Sequence, residues 1–282
     1  MKVLCFGRSG QVATELRALD VEALGRDQVD FAQTAEVWAT AERAPADVWI
    51  NAAAWTAVDA AEEHEAEARQ INCVAVEALA EVAAKRGIPL VHLSTDYVFD
   101  GSGERPWRPE DRVDPLGAYG RTKLAGENAV REAGGTHAVL RTSWVFSATG
   151  SNFVKSMLRL GAERDSLRIV ADQVGGPTSA ASIAAACLEV ARQLVDAPDK
   201  SGTYHFAGVP DVSWAGFARE IFDAAGMDVA VEEIPTSGYP TPAARPLNSR
   251  LDCSATERVF GIARPDWRED LRAVLADLKV AA

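Results

Sequence analysis

Short apolar runs alternate with longer stretches of helical periodicity over the first half of the chain. The apolar runs are continuous more than alternating, which is typical of strands covered by helices on both faces. The clearest pairs of run and helical stretch are residues 3–6 and 11–19, 48–52 and 66–86, and 89–93 and 118–132. This rhythm predicts βαβ units and therefore an α/β fold with a doubly wound parallel sheet of the Rossmann type.

Beyond Trp144 the pattern becomes irregular, and turn-forming residues concentrate in segments 172–178 and 235–246. We therefore predict a dinucleotide-binding domain over residues 1–146. A smaller C-terminal substrate-binding lobe is expected from residues 147–178 and 208–282. One more strand-like piece at residues 202–207 favours a return of residues 179–207 to the first domain.

Gly7 and Gly10 lie between the first predicted strand and the first predicted helix. Gly7 permits a tight turn, and Gly10 lets the backbone approach a pyrophosphate that free amides of the helix N-terminus bind. Gln11 and Val12 start the helix, and Ala13 stands where a third glycine often allows close packing. The turn predicts a dinucleotide site, and its competing interpretation is a plain strand-to-helix turn.

The end of the second predicted strand indicates which nicotinamide cofactor is used. NAD-selective sites usually carry an acidic residue there, whereas this chain has Gly25 and Arg26. Because a guanidinium can pair with a 2′-phosphate, Arg26 predicts that NADPH is used at least as well as NADH. The competing interpretation is that Arg26 is a solvated surface side chain, and Asp30 is a second candidate to approach the adenosine end.

Tyr119 and Lys123 are four residues apart on a predicted helix, so they lie on one face, one turn apart. Reduction of a ketone needs such a pair, because the carbonyl oxygen becomes an alkoxide and must receive a proton. We expect the Lys123 ammonium to lower the pKa of the Tyr119 phenol and to hydrogen-bond the cofactor ribose. Helices also carry such pairs on solvated faces by chance, so further support is needed.

That support comes from two segments that end predicted strands, at the sheet edge where open α/β folds bind ligands. Thr95 ends the fourth strand and would offer its hydroxyl to a carbonyl oxygen, although alone it fits a turn hydroxyl equally well. The small residues of segment 51–56 would let a cofactor pack against backbone. Thr95, Tyr119 and Lys123 together indicate a reductase of the short-chain dehydrogenase type.

Composition argues against several other classes of protein. The formal net charge of −12 repels nucleic acid as a whole, so a small-molecule partner is expected. No apolar run is long enough to span a bilayer and residues 1–10 predict strand and turn, so we expect no membrane partner and a cytoplasmic location. The 4 cysteines and 4 histidines lack metal-ligand spacing, and no catalytic metal is expected.

Five segments taken together strongly resemble one family, the dTDP-4-dehydrorhamnose reductases, which are extended short-chain dehydrogenases. The segments are residues 7–12, 51–59, 94–101, 119–127 and 141–146. The resemblance runs through most of the chain. It implies reduction, with NADPH or NADH, of the 4-keto group of the nucleotide-sugar dTDP-4-dehydro-6-deoxy-L-mannose to dTDP-L-rhamnose, a precursor of cell-envelope polysaccharide.

The resemblance also implies roles for individual residues. The catalytic group would be Thr95, Tyr119 and Lys123, and Asp96 and Trp144 would lie near the sugar. The residues implied around the cofactor are Gly10, Gln11, Val12, Asp30, Phe31, Ala54, Trp55 and Thr56.

Segment 245–252 resembles a family segment that borders the nucleotide-sugar, which makes Arg245 the candidate for its diphosphate. The alternative is that Arg245 bonds neighbouring loop carbonyls. Some family members form homodimers through a magnesium site that includes a glutamate on the first helix. Glu15 could correspond to that glutamate, but its acidic partners find no match, so the dimer stays an open expectation.

Two other functions fit the same motifs. One is a reductase or epimerase for another nucleotide-linked sugar, since the same catalytic group serves several sugars. The other is a non-catalytic regulatory subunit that keeps the fold and the cofactor. The intact Thr95, Tyr119 and Lys123 argue against the regulatory subunit.

Overall fold

The computed structural model describes residues 1–279, and its centre is a six-stranded parallel sheet in the order β2-β1-β3-β4-β5-β10. The strands of the described chain are β1 (Val3–Phe6), β2 (Glu22–Leu24), β3 (Val48–Asn51), β4 (Leu90–Thr95), β5 (His137–Thr142), β6 (Val145–Phe146), β7 (Ser166–Val170), β8 (Val174–Gly175), β9 (Thr178–Ser179), β10 (Gly202–His205), β11 (Val212–Ser213), β12 (Ala230–Ile234) and β13 (Asn248–Ser249).

Helices connect the strands and cover the sheet. They are α1 (Gln11–Ala18), α2 (Thr34–Arg43), α3 (Val58–Glu63), α4 (Glu65–Arg69), α5 (Ala75–Arg86), α6 (Ala118–Glu132), α7 (Phe153–Gly161), α8 (Ala180–Asp196), α9 (Trp214–Ala224), α10 (Ser254–Phe260) and α11 (Trp267–Asp277). Short 3-10 turns lie at Asp96–Val98, Pro198–Lys200 and Thr236–Gly238. In residues 1–279 no helix is long and apolar enough to cross a bilayer.

Both faces of the central sheet are buried, which explains the continuous apolar runs of its strands. On one face Ile50 of β3 packs with Leu16 of α1 and Ile183 of α8. On the other face its neighbour Trp49 packs with Val37 of α2 and Leu79 of α5. Helices therefore cover opposite faces of one parallel sheet, and the predicted doubly wound Rossmann-type fold is confirmed.

Short sheets follow β5 in the second half of the chain, pairing β6 with β9, β7 with β12, and β8 with both β11 and β13. They surround a separate apolar core that includes Phe146, Phe217 and Trp267. Strand β10 pairs in parallel with β5 at the edge of the central sheet. The division into a cofactor domain and a substrate lobe, with its boundaries, stays a prediction.

The predicted helical stretch 66–86 contains a π-helical segment, Gln70–Val74, between α4 and α5. Single π-helical turns occur often at functional sites, where they displace a side chain from the regular helical position. This one lies against α6, because a Cβ on Gly126 would come within 2.0 Å of the Asn72 carbonyl oxygen. The glycine therefore allows α6 to approach the π-helical segment closely.

Candidate active site

A cavity of about 300 Å³ opens at the carboxyl ends of β3, β4 and β5, beside the start of α1. This is the edge at which open α/β sheets bind ligands. The predicted site residues that line the cavity are Gly10, Gln11, Val12, Ala54, Thr56, Thr95, Asp96, Tyr119, Lys123 and Trp144. Gly7, Arg26, Asp30, Phe31, Trp55 and Arg245 are not among the residues that line it.

The turn between β1 and α1 has the properties that a bound diphosphate requires. Gly7 has a φ of +105°, and a Cβ there would lie 2.9 Å from the Ala53 amide nitrogen. Gly10 is the N-cap of α1 and offers no side-chain cap, and the first turn of the helix carries no acidic residue. A Cβ on Gly10 would meet nothing within 4 Å. The first amides of α1 are thus accessible to an anion, which fits a dinucleotide.

Arg26, predicted to contact a 2′-phosphate, has a side chain that is 81% exposed and lies 3.7 Å from Asp30. A different arginine lies over the end of β2. The Arg8 guanidinium donates to Asp27 Oδ1 at 2.6 Å, and a Cβ on Gly25 would lie 2.6 Å from Arg8 Cζ. The absence of a side chain at Gly25 therefore makes room for Arg8, which the sequence analysis did not single out.

Phe31 is buried in the apolar cluster of α2 and α5, with its ring 6.3 Å from that of Phe6. Asp30 accepts a hydrogen bond from the Ala32 amide, as in a local turn. Both residues therefore have structural roles in the segment after β2. Their contact with a cofactor stays a prediction.

Segment 51–56 is attached to α6 by Asn72, a residue that the sequence motifs did not single out. The Asn72 side chain accepts from the Trp55 amide at 2.8 Å and donates to the Trp55 carbonyl at 3.1 Å. It also donates to Thr122 Oγ1, which in turn donates to the Tyr119 carbonyl oxygen. A lone asparagine among apolar helical positions was the available signal. Asn72 therefore connects segment 51–56 directly to α6.

Thr95 and Tyr119 meet at the centre of the cavity. Thr95 is buried, and its hydroxyl donates to Asp96 Oδ1 at 3.1 Å and accepts from the Tyr97 amide. The expectation that Lys123 lowers the pKa of Tyr119 is not reproduced. Burial raises the pKa of the phenol to about 12, and the Thr95 hydroxyl opposes this shift. Tyr119 therefore keeps its proton at neutral pH, as a general acid must.

Lys123 lies one turn after Tyr119 on α6, and its side chain is buried. Its ammonium donates to the Leu93 carbonyl oxygen at 2.7 Å. Burial lowers its pKa to about 8, and the negative charge of Glu127 counteracts this shift. Regular helical spacing places Tyr119, Lys123 and Glu127 on one side of the helix.

Glu127 is fully buried and forms a bidentate pair with Arg141 of β5, with N···O distances of 2.8 and 2.7 Å. Ser94, next to Thr95, donates to the same carboxylate at 2.6 Å. These hydrogen bonds hold the pKa of Glu127 below its usual value despite the opposing effect of burial. The pair joins α6 to β4 and β5 directly behind Thr95, Tyr119 and Lys123.

Two buried polar atoms at the cavity have no protein partner within residues 1–279, namely Asp96 Oδ2 and Thr142 Oγ1. Buried polar atoms are nearly always hydrogen-bonded, so such atoms in a cavity indicate where a polar ligand binds. Burial also raises the pKa of Asp96 to about 6. The cavity therefore offers polar groups for a ligand with hydroxyl or carbonyl oxygens.

Arg245 lies outside the cavity lining and is already paired. It donates to Asp59 Oδ2 at 2.7 Å, and Asp59 Oδ1 accepts from the Ala243 amide. The alternative of a bond to a neighbouring loop carbonyl is also present, at 3.4 Å from the Ala243 oxygen. The pair connects loop 239–247 to α3, and the predicted contact of Arg245 with a diphosphate stays a prediction.

Within residues 1–279 no group of three or more His, Cys, Asp or Glu side chains is placed to hold a metal ion. His92 contacts the Asn51 amide at 3.1 Å, and His205 lies 3.0 Å from the Trp107 carbonyl oxygen. Glu15 is the residue that could correspond to the glutamate of the family's magnesium site, and burial, with the nearby charge of Asp277, raises its pKa. His92 and His205 therefore have local hydrogen-bond partners near the sheet.

Comparison with known proteins identifies the family. Residues 1–280 match the family model described as the RmlD substrate binding domain. The chain is 44% identical to the dTDP-4-dehydrorhamnose reductase of Sinorhizobium fredii, covering 98% of this chain and 97% of that protein. It is 39% identical to the enzyme of the same name from Escherichia coli K12, covering 99% and 98%.

Solved structures agree with the sequence comparisons. A dTDP-4-dehydrorhamnose reductase from Clostridium acetobutylicum superposes with a TM-score of 0.91 at 36% identity, covering 99% of this chain and all of that one. The reductase from Bacillus anthracis, solved in complex with NADP, gives a TM-score of 0.90 at 32% identity, covering 98% of this chain and 100% of that one. The resemblance found in the sequence motifs is confirmed, and the chain belongs to the RmlD substrate binding domain family, together with the dTDP-4-dehydrorhamnose reductases.

Proposed function

We propose that this protein uses NADPH or NADH to reduce the 4-keto group of dTDP-4-dehydro-6-deoxy-L-mannose, which gives dTDP-L-rhamnose. One observation carries the proposal: Thr95, Tyr119 and Lys123 line the same cavity as the uncapped start of α1. A hydroxyl, a phenol and an ammonium beside a dinucleotide site are the groups that ketone reduction needs. The relatives that are dTDP-4-dehydrorhamnose reductases support the same substrate. We place the reaction in the cytoplasm.

The cofactor would lie along the carboxyl edge of the sheet. Gly7 allows the turn to pack against the backbone of Ala52 and Ala53, Gly10 leaves room for the diphosphate, and the amides at the start of α1 would bind that charge. Ala54 and Thr56, which line the cavity, offer small side chains against which the nicotinamide half can pack. Bound there, the cofactor supplies the hydride that reaches the carbonyl carbon. The Bacillus anthracis relative was solved in complex with NADP, which supports a nicotinamide cofactor for this chain.

The chain's own residues handle the proton and the developing charge. Tyr119 holds its proton at neutral pH and would transfer it to the carbonyl oxygen as that oxygen becomes an alkoxide. The Thr95 hydroxyl would donate a hydrogen bond to the same oxygen. Lys123, held in place by the Leu93 carbonyl, would donate a hydrogen bond to the cofactor ribose. The proton is restored to Tyr119 from solvent before the next turnover.

The substrate would be held from the other side of the cavity. Asp96 Oδ2, which has no protein partner within the described residues, would accept a hydrogen bond from a sugar hydroxyl. Trp144 would pack against the sugar ring, and Arg245 would approach the diphosphate from the loop that Asp59 anchors. In this proposal residues 1–146 and 179–207 form the domain that binds the cofactor and also supplies Asp96 and Trp144 to the sugar, and residues 147–178 and 208–282 form the lobe that closes the substrate side and supplies Arg245.

The direct test is oxidation of NADPH, and separately of NADH, by the purified protein. The substrate, dTDP-4-dehydro-6-deoxy-L-mannose, is generated in place from dTDP-glucose by the preceding enzymes. The proposal expects rapid oxidation coupled to formation of dTDP-L-rhamnose. Oxidation of NADPH or NADH only in the presence of other nucleotide-linked ketosugars would show that the enzyme acts on a different substrate. Cofactor binding without oxidation of any ketosugar would favour a regulatory subunit.

Cofactor preference tests the role of the arginines near β2. Removing the guanidinium that lies over Gly25, by Arg8→Ala, should lower kcat/KM for NADPH about tenfold and leave that for NADH nearly unchanged, because a charge-assisted bond to the 2′-phosphate is lost. Arg26→Ala is the matched control, since its side chain is largely exposed. A selective loss of kcat/KM for NADPH in Arg26→Ala, with none in Arg8→Ala, would show that Arg26 and not Arg8 contacts the 2′-phosphate.

A further inference from the structure

Trp144 has an unusual backbone conformation beside the cavity. Its φ of +49° lies in the left-handed region, which is unfavourable for any residue with a Cβ. It stands between the end of β5 and the start of β6, and part of its indole lines the cavity. A residue persists in such a conformation only where its surroundings hold it there. The neighbours of Trp144 therefore determine the shape of the side of the cavity that Trp144 lines.

The main neighbour is Trp214, the first residue of α9. The two indoles are stacked almost parallel, with ring centroids 3.5 Å apart and an interplanar angle of 10°. Phe153 of α7 packs on Trp214, at 4.5 Å between centroids. Gly175 of β8 lies against Trp144, because a Cβ there would be 3.0 Å from Trp144 Cε2. Stacked aromatic rings of this kind stabilise each other beyond the area they bury.

A chain of hydrogen bonds fixes the orientation of the Trp214 ring. Its Nε1–H donates to Gln173 Oε1 at 3.1 Å, and Gln173 Nε2 donates to Thr236 Oγ1 at 3.1 Å. Thr236 Oγ1 then donates to Asp172 Oδ1 at 2.6 Å. The chain connects the two turn-rich segments of the sequence, 172–178 and 235–246. Both segments therefore help to orient one aromatic ring that does not itself line the cavity.

We propose that Trp214 is a positioning residue that holds the Trp144 indole as a rigid wall for the sugar of the bound nucleotide-sugar. The inference rests on the proposed function, because it needs a nucleotide-sugar in this cavity. The apolar C–H groups of a sugar ring pack well against a flat aromatic surface that does not move. Since Trp214 acts through Trp144, it determines how tightly the sugar is held and takes no part in proton transfer.

The experiment compares Trp214→Leu and Trp214→Phe with the wild type in the intact chain. Stacked indoles give an exciton couplet in the far-ultraviolet circular dichroism spectrum, which reports the pair without any ligand. Calorimetric titration with dTDP-L-rhamnose gives the dissociation constant for the sugar nucleotide, and steady-state kinetics give KM and kcat. Trp38→Leu is the matched control, because Trp38 lies on the partly exposed face of α2 and stacks on no other ring in the described chain.

Trp214→Leu should lose the couplet and weaken binding of dTDP-L-rhamnose about tenfold, because Trp144 is then free to move. Substrate KM should rise similarly, while kcat and the cofactor KM stay within about twofold, as expected for lost uniform binding. Trp214→Phe keeps a ring but loses the bond to Gln173, so it should give an intermediate dissociation constant. Trp38→Leu should match the wild type in every measurement.

Gly175→Ala provides a second route if Trp214→Leu does not fold. The added methyl would press on Trp144 while Trp214 stays intact, so the couplet should change and binding of dTDP-L-rhamnose should weaken several-fold. Unchanged sugar binding in both Gly175→Ala and a folded Trp214 variant would overturn the proposal. So would a couplet that survives in Trp214→Leu, or a fall in kcat without weaker sugar binding.

Failure of the proposed function gives a different pattern. A wild-type protein that binds dTDP-L-rhamnose but oxidises neither NADPH nor NADH would refute the reductase reaction, and the binding data would still judge the role of Trp214. A wild-type protein that does not bind the nucleotide-sugar at all would overturn both.

Discussion

The two walls of the cavity are built on opposite physical principles. The wall that carries Tyr119 and Lys123 is backed by the buried Glu127–Arg141 pair. The wall that carries Trp144 is backed by the stacked ring of Trp214. Fixed charges in a low dielectric control protonation, whereas stacked rings control shape. The comparison teaches that the first wall should determine kcat and its pH dependence, and the second wall the affinity for the sugar.

The largest effect should come from removing one oxygen atom from the wall that carries Tyr119 and Lys123, which we call the charged wall. Tyr119→Phe keeps the ring and its packing against Tyr97, whose centroid is 5.5 Å away, but removes the acidic proton. Because general acid catalysis typically contributes about 10²–10⁴-fold, kcat should fall by about that factor. Cofactor affinity, measured by fluorescence titration, should stay nearly unchanged. Turnover equal to that of the wild type would show that Tyr119 is not the acid.

The next largest effect should come from breaking the ion pair behind that wall. Glu127→Gln leaves the Arg141 guanidinium buried without its counter-charge, so the free energy of unfolding should fall by about 3–5 kcal/mol. Urea denaturation followed by circular dichroism measures this change.

The control for Glu127→Gln is a pair with the same chemistry at the surface. Glu220 and Arg268 lie 3.2 Å apart and both are more than one-third exposed. Glu220→Gln should lower the free energy of unfolding by less than about 1 kcal/mol, because water screens such pairs. If both variants cost the same, the Glu127–Arg141 pair has no special structural weight.

The smallest effect is a gradual one with pH. Lys123 has a pKa lowered to about 8, so its charge is present below that pH and is lost as the pH rises through it. Tyr119, with a pKa of about 12, stays protonated over the same range. We therefore expect kcat to fall about tenfold between pH 7 and pH 9, as Lys123 loses its charge, while the affinity for dTDP-L-rhamnose stays level. A level kcat across the titration of Lys123 would contradict the comparison.

Sequence patterns predicted most of the central sheet and most of the charged wall. Helix α6 lies at Ala118–Glu132, as predicted, because its apolar spacing and the Tyr119–Lys123 motif are both local in the sequence. Thr95 could be placed at the end of β4 for the same reason, since the apolar run before it is continuous. Local patterns of this kind specify which elements form and what each one presents at its end.

Contacts between residues distant in the sequence could not be predicted. Arg8 lies over the end of β2 only because the glycine turn and Gly25 come together in the fold, and the contact of either Arg8 or Arg26 with a cofactor stays a prediction. Trp214 follows Trp144 by 70 positions, and apolar periodicity identifies it only as a core residue. The raised pKa of Tyr119 likewise depends on burial by several elements, which spacing along one helix does not report.

Gln11 links the glycine turn at one end of the cavity to the segment that follows β6. It is the first residue of α1, and its side-chain oxygen accepts from Ser147 Oγ at 3.0 Å and from Asn152 Nδ2 at 2.9 Å. Asn152 caps α7, the helix whose Phe153 packs on Trp214. The glycine turn and α7 therefore share one hydrogen-bonded junction. If binding at either site shifted this junction, the affinity of the other site would change, and thermodynamic linkage requires that the two ligands would alter each other's binding by the same factor.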